Sequence, residues 1–275
     1  MANNVEADRI EEMTGRRVMN TCHGTWGIGF VLGTLIGTGA RTWDVSPLMH
    51  LGLAVPLVTV LTFIVVLRMK EAPHRPHSGP TVRSLLPRPT KAILGLVGFI
   101  IASVIVENGA MSWSVIYFRD AFDVPSYIES LSLPLYILAL SIGRLLADKW
   151  VERWGPARVA SVLSVVALIG IVPVAWAGSL PLAIIGFVLI GFGMSCAFPL
   201  SISAAARIGD RPSADNVAAF SMIQRTLAMG VPALIGFVAA GWGIAAAFAT
   251  MLPLPLVALV FARYLEPRRM AAAAS

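Results

Sequence analysis

The chain has 275 residues, of which 57% are hydrophobic and only 13% charged, with a mean hydropathy of +0.78. A soluble domain carries about a quarter charged residues, so this composition excludes a water-soluble globular fold and leaves an integral membrane domain with the lipid bilayer as its first partner. The net charge of +6 forms no basic stripe with interleaved aromatics, which excludes a nucleic-acid partner.

Residues 1–17 are polar and mixed in charge, with no apolar signal-peptide core. Apolar stretches then predict about eight membrane-spanning helices: 18–40, 46–67, 92–118, 127–147, 159–177, 181–206, 216–240 and 242–264. Helices are required because hydrocarbon cannot satisfy open backbone groups, and the runs lack the alternation of barrel strands. Pro56, Pro134, Pro173, Pro199, Pro232 and Pro253 lie inside these spans, where each can kink its helix. The predicted fold class is therefore all-α and polytopic.

Basic residues alternate with the loops. Eighteen of the 21 Lys and Arg fall in loops on the N-terminal side of the membrane, Arg144 among them, whereas only Arg41 and Arg119 fall opposite and Arg225 lies within a span. That asymmetry predicts a plasma-membrane protein with both termini cytoplasmic. The 68–91 connection is long, basic and proline-rich, dividing the chain into 1–67 with two spans and 92–275 with six. Six helices after a central loop match one half of a transporter built from repeats, and two do not.

Several polar groups lie within spans. Glu107 and Asn108 follow the apolar run from Ala92 to Val106. A carboxylate at mid-membrane costs about 2.5–3.5 kcal/mol, so it either serves transport or is held by a structural hydrogen bond. Arg225, beside Gln224, either binds an anion or pairs with Glu107, or else snorkels to the interface if its span starts nearer Phe220. His23 is a proton relay or an interfacial polar group. Trp113 and Tyr117, one turn apart, either stack on a substrate or belong to an interfacial belt. Gly29, Gly33 and Gly37 share a face suited to helix packing within the fold. Ser195, Ser201 and Ser203 are expected to bond back to the helix or bridge to a neighbour. Cys22 and Cys196 lack partners at metal-ligand spacing and read as buried thiols.

The segment GRLLADKWVERWGPARV, residues 143–159, resembles the loop motif of the major facilitator superfamily, with Gly143, Asp148, Arg153, Gly155 and Arg158 in its places. In that reading Gly143 permits close helix approach, and Asp148 pairs with a basic residue or meets a helix N-terminus. The stretches MANNVEADRIEEMTGRRVMNTCHGTWGIGFVLGTLIG, VENGAMSWSVIYFRD and GFGMSCAFPLSISAAAR resemble the fourth-to-fifth, seventh and tenth helix regions of the fucose-permease-like branch. The resemblance implies a major-facilitator-type fold with an incomplete N-terminal half, lacking the first four helices. It further implies alternating access for a small solute, with protons as one candidate coupling ion. The candidate pathway comprises Glu107, Asn108, Trp113, Gln224, Arg225 and His23. The alternative is a transport-inactive fragment, or a half-transporter that needs a partner chain or a dimer. No phosphate loop, nucleophile elbow or metalloprotease helix occurs, so the sequence points to no enzyme, cofactor or metal.

Overall fold

The computed structural model describes residues 13–68, 90–176, 178–210 and 212–266, with Ala7, Ile10 and Glu11. The central stretch 69–89, including His74 and His77, and the tail from 267 lie outside the described residues. In chain order the helices are α1 (Met19–Thr42), α2 (Pro47–Arg68), α3 (Lys91–Ala121), α4 (Ser126–Trp154), α5 (Pro156–Trp176), α6 (Leu180–Met194), α7 (Ala197–Ala206), α8 (Ser213–Trp242), α9 (Ile244–Ala249) and α10 (Pro253–Phe261). A 3-10 turn over Ala262–Leu265 follows, and no strand occurs among the described residues.

Helices α6 and α7 form one passage broken at Ser195 and Cys196, and α9, α10 and the turn form another broken near Thr250. The eight predicted spans thus correspond to eight helical passages. Seven are long and apolar enough to cross a membrane. The remaining one, α1, is 24 residues long, about 36 Å at 1.5 Å per residue, but its threonines, glycines, Asn20 and His23 make it less apolar. Two expected kinks at prolines are complete breaks, with Pro199 and Pro253 just beyond the interruptions. The fourth span runs seven residues past its predicted end at 147, to Trp154. No glycine or proline interrupts Asp148 to Trp154, so the polar segment continues the helix until Gly155, whose φ of +81° ends it.

Polar contacts fix the helix directions. Asp148, near the end of α4, binds Asn20 and Thr21 at the start of α1. At the opposite end Arg41 Nη2 lies 3.5 Å from Glu129 Oε2. The two helices therefore run antiparallel. Their contact face carries Gly24, Gly27 and buried Val31, with Gly24 against Leu145 and Gly27 against Ser141. Gly29, Gly33 and Gly37, expected to pack within the fold, have no neighbour among the described residues in reach of an added Cβ. At about 100° per residue, Gly29 points roughly 200° away from Gly27, on the far side of the helix.

The interior is layered around α3. Tyr117, Phe118, Phe187 and Phe248 form an aromatic cluster at the end away from Asp148. Tyr117 is fully buried there and donates to Val174 O at 2.8 Å, so it is neither an interfacial nor a cavity residue. By contrast, no residue of α2 is buried. A helix apolar on every side is stable in lipid without a partner, because acyl chains are as apolar as leucine.

Helices α5 and α6 touch backbone to backbone. A Cβ on Gly170 would sit 2.7 Å from both Gly186 O and Ile190 N. Gly170→Ala is expected to cost about 1–3 kcal/mol through overpacking, whereas Gly33→Ala, in open space, is neutral or slightly stabilising. Heating the detergent-solubilised variants and following the monodisperse fraction by size exclusion checks this; equal melting of the two would refute the packing assignment.

Candidate functional site

Glu107 lies 16 residues after Lys91 and 14 before Ala121, so it is about 21 Å or more from either end of α3 at 1.5 Å per residue. At that depth its carboxylate needs a partner. Arg144 of α4 supplies it, with Nη2 at 2.9 Å from Glu107 Oε1. The guanidinium is itself almost wholly enclosed, the Arg144 side chain being 2% exposed. Arg144 is thus not the loop cation expected from charge alone, and it rather than Arg225 is the partner of Glu107. Arg144 lies ten residues inside the end of α4 at Trp154, about 15 Å along the helix. It points into the bundle.

The second contact of Arg144 follows from the sequence around it. Its Nε donates to Ser195 O at 2.9 Å. In an unbroken helix that carbonyl would accept from the amide four residues later, but residue 199 is proline and has no N–H. The break between α6 and α7 therefore leaves one carbonyl unpaired inside the membrane, and Arg144 satisfies it. Gly143 makes the approach possible, since a Cβ there would lie 2.6 Å from the Ser195 Cβ. Ser195 thus contributes its backbone more than its hydroxyl, while Ser201 Oγ bonds back to Ala197 O at 2.8 Å as expected.

The ion pair borders a cavity of about 670 Å³. Cys22, His23 and Trp26 line it from α1, Glu107, Asn108 and Met111 from α3, Arg144 from α4, Phe198 from α7, and Gln224 and Arg225 from α8. His23 meets the ring of Phe198 edge-on, with centroids 5.3 Å apart. Asn108 Nδ2 returns to Val104 O at 2.9 Å. Arg225 has no ion pair or hydrogen-bond partner among the described residues. Its helix starts at Ser213, earlier than predicted, placing Arg225 twelve residues or about 18 Å inside. The Arg225 side chain faces the cavity with that of Glu107.

Five of the six sequence candidates, His23, Glu107, Asn108, Gln224 and Arg225, are thus brought to one cavity. Trp113 is not; its ring lies against Gly236 of α8. Trp26, Met111 and Phe198 were missed because apolar side chains in an apolar span give no signal. Arg144 did carry one, since it fell three residues inside the predicted span 127–147. Cys22, read as buried, is exposed, whereas Cys196 is buried.

A second polar cluster closes the end of the bundle near Asp148. One Asp148 oxygen accepts from Asn20 Nδ2 at 2.7 Å, and the other from Thr21 N at 3.0 Å and Thr21 Oγ1 at 2.7 Å. Glu11 Oε1 accepts from Val18 N at 2.9 Å and Met19 N at 3.0 Å, while its other oxygen takes Arg207 Nη2 at 2.6 Å. Two carboxylates therefore cap the N-terminus of α1, whose first turn has no acid of its own. Burial, and then the Arg207 charge, lower the Arg17 pKa below its usual value. Of the loop-motif residues, Gly155 forms the turn, Arg153 lies over Trp154 at 5.6 Å and Arg158 is exposed. Asp148 meets a helix N-terminus, one of its two expected partners. Among the described residues no cluster of His, Cys, Asp and Glu could hold a metal.

Removing Arg144 strands both Glu107 and the Ser195 carbonyl. Arg144→Gln is expected to destabilise the protein by about 3–5 kcal/mol, and the Arg144→Gln, Glu107→Gln pair by less than the two single changes summed. Thermal unfolding of the three variants in detergent measures this coupling, and strict additivity would contradict it.

Comparison with known proteins places this geometry. The sequence profile of the Major Facilitator Superfamily matches residues 7–231. An uncharacterized transporter of Sinorhizobium fredii is 31% identical over 206 residues, covering 75% of this chain and 54% of the relative. An uncharacterized MFS-type transporter of Yersinia pestis is 27% identical over 264 residues, covering 96% of this chain and 67% of the relative. Among solved structures, the E. coli fucose:proton symporter FucP superposes with a TM-score of 0.65 at 17% identity, over 82% of this chain and 58% of that one. The chain thus spans between about half and two thirds of the proteins it matches. With the profile match covering most of its length, the chain belongs to the Major Facilitator Superfamily.

Proposed function

We propose that this protein is a secondary transporter that moves a small solute by alternating access, with a proton carried on Glu107. The single observation that supports this reading is the Glu107–Arg144 ion pair facing a mid-span cavity. An ionisable pair at that depth costs stability, which supports a role for it in function. With Glu107 ionised, Arg144 is held between the carboxylate and Ser195 O. A proton on Glu107 removes the ion pair and leaves Arg144 short of a counter-charge, so protonation and occupancy of the cavity become linked. The FucP neighbour, described as a fucose:proton symporter, accords with protons as the coupling ion; fucose is not carried over.

The end bearing Asp148, Glu11 and Arg207 is proposed as the cytoplasmic one, on the loop-charge asymmetry, in the plasma membrane. Helices of 1–67 and of 92–275 then form the two sides that rock, joined by the 68–91 connection. Contacts of Asp148 with the start of α1 and of Glu11 with Arg207 hold that end shut, and their release opens it. A second reading, that transport requires further helices in a longer form or partner chain, is favoured by the open Gly29, Gly33 and Gly37 face.

In vesicles containing the protein, solute uptake is expected to rise with an imposed pH gradient, and Glu107→Gln to abolish that response at equal expression. Unchanged gradient-driven uptake in the variant would remove Glu107 from the mechanism. Asp148→Asn, which weakens a charge-assisted cap, should lower the stability of the detergent-solubilised protein by about 1.5 kcal/mol or more. Unaltered thermal unfolding would show that Asp148 holds nothing closed.

A further inference from the structure

Resting on the transporter reading, we infer that the solute is a small organic monoanion whose carboxylate is held by Arg225 and Gln224 and which enters with one proton. The charges facing the cavity, taken element by element, support it. Helix α3 contributes Glu107, and α4 contributes Arg144, already paired with it. From α8 comes Arg225, which has no counter-ion among the described residues. Helix α1 contributes His23 and Cys22, both uncharged when the imidazole is neutral and the thiol protonated. Tyr136 reaches only the Glu107 backbone carbonyl, at 3.4 Å. Among the described residues one positive charge is left over.

The Arg225 guanidinium lines the cavity beside the Glu107–Arg144 pair, where an anion is attracted more strongly than in bulk water. Its planar fork matches a carboxylate in two parallel hydrogen bonds. Gln224 adds an amide donor beside it. Trp26, Phe198 and Met111 supply apolar walls for the rest of the molecule.

A monoanion keeps the charge of the site constant through the cycle. Without solute the site holds Arg144 and Arg225 against ionised Glu107, a net charge of about one by the pairing above. When the proton binds a Glu107 oxygen and the monoanion binds Arg225, the sum is unchanged. The proton leaves Glu107 on the opposite side together with the solute, and no other bond changes.

The test uses the purified full chain and maleimide labelling of Cys22, with Cys196 too buried to compete. Acetate, pyruvate and benzoate are compared with acetamide, pyruvamide, benzamide and fucose. At least one carboxylate should slow Cys22 labelling about fivefold at about four times its Kd, while its amide does not. Arg225→Gln should remove the protection and Arg225→Lys restore part of it. Size exclusion establishes that both variants are folded, and vesicle uptake of the protecting compound should follow the pH gradient.

Full protection in Arg225→Gln, or no protection by any carboxylate, overturns the inference. Protection by amides or fucose alone also overturns it, and leaves the transporter reading standing if uptake of that neutral compound still depends on Glu107. Carboxylate protection without uptake instead overturns transport and supports the anion site.

Discussion

The structure turns on one buried guanidinium. Arg144 binds a carboxylate from α3 on one side and a helix carbonyl from the α6–α7 break on the other. Each partner would be unacceptable alone: an ionised carboxylate and an unpaired carbonyl inside a membrane each cost several kcal/mol, roughly, when left unsatisfied. Held together, they lock three passages to one point. Gly143 and Pro199 have their physical meaning only through this contact, one by permitting the approach and the other by freeing the acceptor.

The cavity and the closed end are mechanically adjacent because they share α1 and α4. Asp148 is four residues after Arg144, one turn along the same helix face, and Thr21, which Asp148 binds, precedes cavity-lining Cys22. A shift of α4 at the ion pair is therefore felt at the cap of α1. Among the described residues the polar tie at the opposite end of this helix pair is Arg41 with Glu129 at 3.5 Å, with the arginine 54% exposed. A pair of that kind contributes about 0–1 kcal/mol. Of the two ends, the Asp148 end holds more tightly.

The spans were legible because hydrocarbon imposes one rule on every stretch, and seven of the eight passages follow it, α1 being less apolar. So was most of the cavity, since Glu107, Asn108, Gln224 and Arg225 are polar where polarity is costly. Arg144 escaped for a definable reason. Assigning basic residues to loops uses charge alone, and an arginine reaching inward from near a helix end looks the same in sequence as one reaching outward. The same ambiguity misplaced the packing face of α1. A four-residue glycine repeat shows that a face is smooth but not whether a neighbour lies against it, and the neighbour proved to be on the Gly24 and Gly27 side. Glu11 was hidden in a mixed-charge segment whose role depends on folding back to a helix start.

The open side of the cavity carries the last constraint. Helix α2 can face acyl chains on every side at no cost, so its exposure demands nothing. Arg225 differs: an exposed guanidinium about 18 Å inside α8 cannot face hydrocarbon without a penalty of about 2.5–3.5 kcal/mol. Water or protein must stand in front of it. The smooth face of α1, where among the described residues nothing lies against Gly29, Gly33 and Gly37, continues the same side. On that open side the charge of Arg225, rather than the apolar surface of α1, sets what the cavity has to accommodate.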